Sequence, residues 1–302
     1  MSHQIITPFF WHDGQAAAAA RFHAEVFGGR VIDEARYTEA GHDVHGQSDG
    51  EVMVAECDIL GYRLIGLNGG PAFRPSPAIS LFVQLPDRDE AERIWTALSD
   101  GGTALMPFDA YDWSPAYGWC NDRYGVSWQI MFDAEGTATQ PVTPMLAFTG
   151  AVTGRAAEAL GFYASVFPGS AVEMTVPYPA GASEPAGSIV QGRAVLAGGR
   201  MIAMDAGRNH DFGFDEGVSL VVNCADQAEV DHYWDRFVEG GGSHGRCGWL
   251  KDRFGVSWQV VPKPVTDILA GPDRKAASRA MDAVMGMEKI DIATVLRASL
   301  GE

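Results

Sequence analysis

The sequence is short of cysteine, of basic residues and of long apolar runs, and each shortage removes a class of function. Its four cysteines, Cys57, Cys120, Cys224 and Cys247, show no C-x-x-C spacing. In a chain this large and apolar they do not imply a disulfide framework, and reduced thiols are the default. Lys and Arg number 22 against 39 Asp and Glu, a formal charge of −17 with neutral histidine. Such a balance repels phosphate backbones and anionic bilayers, so neither a nucleic-acid nor a membrane partner is expected. No apolar stretch approaches the roughly 18 residues of a spanning helix. The start, Met1-Ser2-His3-Gln4, lacks a basic segment leading into an apolar run. No secretory signal is read there, and a cytoplasmic location is the expectation. What is present, 46% hydrophobic and 20% charged residues in 302, is the make-up of a soluble globular protein of about two domains.

A long internal repeat organises the chain. Gly118–Ile130 reads GWCNDRYGVSWQI and Gly248–Val260 reads GWLKDRFGVSWQV, with nine of thirteen positions identical at an offset of 130. Upstream, Ala20–Phe27 aligns with Leu160–Phe167 at an offset of 140, and Trp95 with Trp234 at 139. The offset falls in one place, because the second copy lacks most of the stretch Met106 to Pro115. A period this long makes each copy a domain rather than a stacking element. The boundaries read as 1-134 and 145-265, joined by a small, polar, Pro-containing linker. A C-terminal tail, 266-302, carries two apolar sets at helical spacing.

Within copy one, strands are predicted at Gln4–Trp11, Arg30–Tyr37, Glu51–Ile59, Tyr62–Leu67, Ile79–Leu85 and Val126–Phe132. One helix, capped by Asp13, runs to Phe27, and a second is capped by Asp87. Copy two repeats the order, with helices at Arg155–Phe167 and Gln227–Glu239. Three strands follow each helix, so the unit is βαβββ, twice per copy, rather than a parallel βαβ array.

This order, closing on a Gly-x-x-x-Gln strand, resembles the vicinal oxygen chelate (glyoxalase/bleomycin-resistance/dioxygenase) superfamily. More closely it resembles the PhnB-like branch, the 3-demethylubiquinone methyltransferase-type domain. The similarity is carried by Thr7–Gln15, Leu67–Pro71, Ile79–Gln84, Tyr117–Gln129 and the tail segment Lys289–Ala293. It implies an α+β fold: tandem glyoxalase-like domains, each of paired βαβββ modules around a concave mixed sheet, plus the helical tail. It also implies metal-ligand positions on the inward faces of particular strands. These fall at Ile6 and Leu146, Ser80 and Ser219, and Gln129 and Gln259. Enzymes of the superfamily place His, Glu or Gln there, and this chain keeps only the glutamines. Methyl transfer does not follow from the residues, because Gly28-Gly29, Gly69-Gly70 and Gly101-Gly102 follow helices or sit in turns rather than opening a doubly wound sheet.

The expected function is therefore binding of a small organic ligand in the sheet cavity, with no metal and no other cofactor. The alternative is a lyase, isomerase or dioxygenase that uses a divalent metal as Lewis acid. Candidate ligand-binding residues are Gln129, Trp119, Ser80, Asn68, Tyr111, Trp113, Gln259 and Trp249. Strand alternation puts Gln129 on the face opposite Trp128, which reads as core. Asn68 and Asp205 have a rival role in satisfying a turn, and Asp122-Arg123 and Asp252-Arg253 read as turn-stabilising pairs. The stretch Met106 to Pro115, with Tyr111 and Trp113, is expected to be a loop that lids the cavity of copy one. His42 and His45 are half of a metal site at most, and His12, at a strand end, reads as a satisfied surface histidine. Asp211-Phe212-Gly213 spells a kinase tripeptide without its companion motifs. The remaining expected partnership is pairing of the two copies within the chain, with homodimerisation left open.

Overall fold

A computed structural model of the chain describes residues 4–40, 42 and 46–302. Copy one forms β1 (Ile6–His12), α1 (Ala16–Val26), β2 (Arg30–Arg36), β3 (Val52–Ile59), β4 (Tyr62–Asn68), β5 (Ile79–Leu85), α2 (Arg88–Ser99), β6 (Thr103–Tyr111), β7 (Ser114–Asn121) and β8 (Ser127–Phe132). Copy two forms β9 (Val142–Thr149), α3 (Ala156–Val166), β10 (Ala171–Pro177), β11 (Ile189–Leu196), β12 (Gly199–Gly207), β13 (Val218–Cys224), α4 (Gln227–Phe237), β14 (Ser243–His244), β15 (Trp249–Lys251) and β16 (Ser257–Pro262). The tail adds α5 (Lys263–Leu269), α6 (Arg274–Met285) and α7 (Ile292–Leu300). The sequence pattern predicts two of these helices. The third carries Pro264 in its first turn, where a missing N–H costs no hydrogen bond.

The twofold βαβββ order of each copy is present, and the modules are exchanged between copies. One eight-stranded sheet runs β14-β15-β16-β13-β1-β4-β3-β2 and the other β10-β11-β12-β9-β5-β8-β7-β6. Each sheet therefore joins a module of copy one to a module of copy two through a central antiparallel pair. Ile6 lies opposite Val222 in the first sheet, and Ile79 opposite Leu146 in the second. The two compact units follow the sheets rather than the repeat. The first holds residues 1–24, 30–74 and 215–302, and the second holds 25–29 and 75–214.

Helices cover one face of each sheet, and alternation sends every second side chain to them. Trp128, fully buried, is tilted against Phe27 at 5.1 Å, and Trp258 stacks on Phe237 at 4.3 Å. Helix α2 packs so closely on β7 that a Cβ at Gly118 would lie 2.4 Å from Trp95 Nε1. That contact accounts for the glycine. Asp87 caps α2 as expected, accepting from the Glu90 N–H at 3.0 Å. For α1 the expectation of an Asp13 cap gives way to a tertiary one: the Ala16 N–H donates to Asn68 Oδ1 on β4 at 2.8 Å. Asp205 on β12 does the same for α3, accepting from Gly154 and Ala156.

In the first unit the tail ties the two modules together. Arg274 donates to the Tyr37 carbonyl at 2.6 Å and to Asp49, while the Cys247 and Gly248 N–H groups donate to Met287 and Glu288 carbonyls. Gln227 at the start of α4 is bonded to Ile290 and Ile292. Among the described residues, no helix is long and apolar enough to cross a membrane.

Candidate functional site

The face of the second unit's sheet that lies opposite α2 and α3 collects five of the eight candidate residues. Pairing places Gln129 beside Phe82 and Trp119, and Ser80 beside Met145, so three of the candidates, Gln129, Trp119 and Ser80, point the same way as Phe82 and Met145. At the centre is a chain of buried hydrogen bonds. The Tyr117 hydroxyl donates to Gln129 Oε1 at 2.6 Å, and Gln129 Nε2 donates to Ser80 Oγ at 2.8 Å. Trp119 Nε1 donates to Ser127 Oγ beside it, at 2.8 Å. Burial pushes the Tyr117 phenol up from its ordinary value, which keeps it protonated and donating. Around this chain lies an apolar cluster of Phe82, Tyr117, Trp119, Met145 and Ile202, with Met106, Tyr111, Met131, Met204 and Phe212 against it.

Tyr111 and Trp113 reach the rim of the same face, though by a different route from the one expected. Met106 to Pro115 is not a loop: β6 and β7 extend through it and turn at Asp112-Trp113. Cross-strand pairing, with three register shifts, makes the insertion a long hairpin rather than a flap. Tyr111 stacks on Trp113 at 5.5 Å, and Trp113 meets Tyr117 edge-on at 4.7 Å. The other three candidates belong to the first unit. Gln259 Nε2 donates to Ser219 Oγ at 2.9 Å, repeating the Gln129–Ser80 pair. The position matching Tyr117 is Cys247, so no phenol stands there. Trp249 packs edge-on against Phe9 and Trp11 beside a smaller cluster of Phe9, Ile65 and Val221. Asn68 is occupied in structure: besides holding the start of α1, its Nδ2 donates to the Val52 carbonyl.

The rest of the second unit's face comes from copy two: Met145, Ile202, Met204 and Phe212. Strand alternation from Ser80 and Trp119 leads to Phe82 and Tyr117. Nothing in the sequence says that β9 and β12 complete the wall, because that depends on the module exchange.

The resemblance places metal ligands at Ile6 and Leu146, and the register corrects both. Leu146 pairs with Ile79 on the helix-covered face, while Met145 is the residue opposite Ser80. In the first unit Phe9, not Ile6, lies opposite Ser219. The inward donors near Gln129 are thus hydroxyls, methionine thioethers and an amide whose oxygen already accepts from Tyr117. A catalytic divalent ion needs about three His, Cys or carboxylate ligands with one position open. These residues do not fit one. Among the described residues no three His, Cys, Asp or Glu side chains are grouped to hold a metal. Exposed His42 lies 2.9 Å from the Gln47 carbonyl through Nδ1, and His45 is outside the described residues. His12, expected at the surface, is instead buried, its ring packed over Gly66 where no side chain stands in the way.

The turn motif has a definite structural role. Asp122 Oδ1 accepts from the Tyr124 and Val126 N–H groups and Oδ2 accepts from Trp128 Nε1 at 2.9 Å. Asp252 repeats all three bonds with Phe254, Val256 and Trp258. Arg123 reaches Asp100 at the end of α2 instead of a ligand. Gly240–Gly245 spells G-x-G-x-x-G, but it leads from helix α4 into β14, the reverse of the strand-to-helix order that binds dinucleotides.

A comparison with curated proteins finds no match. Among solved structures, the chain is similar to a PhnB protein from Bacillus cereus, with 30% identity over 43% of this chain and 99% of that one, at a TM-score of 0.39. It is also similar to glyoxalase I from Zea mays, with 11% identity over 84% of this chain and 90% of that one, at a TM-score of 0.55. The second likeness concerns the fold alone. The family model described as 3-demethylubiquinone-9 3-methyltransferase matches twice, over residues 4–131 and 140–261. The chain belongs to that PhnB-like family, as a tandem protein of the glyoxalase fold.

Proposed function

We propose that the chain binds a small, largely apolar organic molecule on the inner face of the second unit, without a catalytic metal. The reading is carried by one observation: a single buried chain, Tyr117–Gln129–Ser80, set in a wall of aromatic and methionine side chains. Ligand sites have this composition, a few fixed polar groups in an apolar lining. Methionine side chains are flexible and polarizable, so Met106, Met131 and Met204 can move aside for a ligand where branched residues would not. The Gln129–Ser80 pair supplies the hydrogen bonds that orient it. The family's name for methyl transfer has no support in the residues of this face, and the donor chemistry argues against a metal-dependent lyase, isomerase or dioxygenase.

The test is a titration with acridine, neutral at about pH 8, followed by quenching of tryptophan fluorescence. One saturable site per chain is expected, weakened by Phe82→Ala and by Gln129→Leu. Failure to saturate, or binding indifferent to both substitutions, would falsify the proposal.

A further inference from the structure

We infer that the molecule bound at this face carries a positive charge at the end nearest the β6–β7 hairpin, where Trp113, Tyr111, Asp109 and Asp112 form a site for a planar organic cation. The inference rests on the inner-face reading and adds the charge of the ligand to it.

Among the described residues, Trp113 is the only Phe, Trp or Tyr that is exposed, at 59% of its surface. It is also held in place. Tyr111 lies nearly parallel to its ring at 21°, and Tyr117 meets it at 65°, so the exposed indole surface is held for a ligand at little further ordering cost. The Tyr111 hydroxyl donates to the Pro107 carbonyl at 2.8 Å, which fixes the supporting ring in turn. Tyr117 continues directly into the Gln129–Ser80 chain, so the platform and the inner face are contiguous.

The charge follows from the same hairpin. Residues 103–121 include Asp109 and Asp112 and not one Lys or Arg. Asp109 lies directly opposite Tyr117 across the strand pair, and Asp112 sits in the turn beside Trp113. An indole face carries the negative part of the ring quadrupole, and flanking carboxylates reinforce it. The chain's overall charge of −17 adds a long-range pull on cations. The shorter connection in copy two, Ser243-His244-Gly245-Arg246, has no Phe, Tyr or Trp and one arginine, so this chemistry belongs to the second unit alone.

N-methylacridinium and acridine share a ring system and differ in charge, so their affinities can be compared on the full chain at low salt and about pH 8. The cation is expected to bind roughly three- to tenfold more tightly, the scale of an exposed cation–aromatic contact aided by weakly screened carboxylates. The preference should shrink as salt is raised. It should fall toward one in the Asp109→Asn/Asp112→Asn variant, and cation binding should weaken in Trp113→Ala. Equal affinities in the unsubstituted chain, or a preference that survives the double substitution, overturn the inference while leaving the inner-face reading intact. Absence of binding by both probes overturns both.

Discussion

Tyr117 and Gln129 come from adjacent strands, yet their 2.6 Å hydrogen bond ties the rim of the inner face to its centre. Both residues are buried, so the bond has no water to replace it. Tyr117→Phe keeps the ring and strands Gln129 Oε1 without its donor. Leaving a buried acceptor unpaired costs about 1–3 kcal/mol. Denaturant unfolding should show that loss, and it should be much smaller in a Gln129→Leu background, where no acceptor remains. Equal losses in the two backgrounds would mean that the ring's packing, not the bond, is what Tyr117 contributes.

The repeated aspartates offer a comparison internal to the molecule. Asp122 and Asp252 each accept two backbone N–H groups and one tryptophan N–H, at 3% exposure. Alanine at either position removes all three bonds and leaves a buried indole N–H orphaned, a loss of about 2–4 kcal/mol. Asparagine does little better, because accepting from the backbone turns its NH₂ toward the tryptophan donor. The two sites should respond alike in thermal or denaturant unfolding. A mild effect at one of them would show that its turn is held by other contacts.

Those aspartates also mark how far the sequence could be read. The motif D-R-x-G-V-S-W-Q, present twice, leads to the closing strand, to the inward glutamine and to the buried tryptophan, because strand alternation is local. The role of Ser80 follows from the same periodicity one strand away. The placing of Ile6 on the inward face fails by one position, and a one-residue slip reverses every side chain of a strand. The module exchange was out of reach: Ile6 pairs with Val222 across most of the chain, and both copies read the same whether a module pairs within its copy or outside it. The insertion at Met106–Pro115 reads as a loop because the second copy lacks it, and only cross-strand pairing reveals a hairpin.

Thiol chemistry gives a prediction with a pH sign. Burial pushes Cys57, Cys120 and Cys224 up to about 12, against 9.0 for a free thiol. The thiolate is the reactive form, so at about pH 8 these three should react roughly a thousandfold more slowly than in the unfolded chain. Cys247 is raised as well, by burial that Arg246 partly offsets, and it is only half-buried. A thiol reagent should therefore label Cys247 first in the native protein and all four residues after denaturation. Because the folded values lie above the unfolded ones, stability is undiminished below about pH 9 and declines as pH rises from there toward about 12. Rapid native labelling of Cys57 or Cys120 would contradict the packing of those strands.

The exchange of modules makes a prediction about copy one expressed alone as residues 1-134. In the full chain β1 is paired with β13 over Ile6–Phe10, and β5 with β9 over Ile79–Val83. The isolated copy loses both neighbours, leaving two apolar strand edges unpaired at what were the centres of the sheets. The repeat supplies its own remedy. Strand β13 is the copy-two counterpart of β5, and β9 that of β1. The pairs Ile6–Val222 and Val142–Val83 also share one register. Two fragments can therefore pair β1 of each with β5 of the other, closing both sheets around a two-fold axis. Light scattering should find fragment 1-134 as a dimer, and mixing it with fragment 145-265 should yield a one-to-one complex. A monodisperse monomer of 1-134, as resistant to denaturant as the full chain, would mean that the two modules of a copy can pair with each other and that the exchange is not needed for folding.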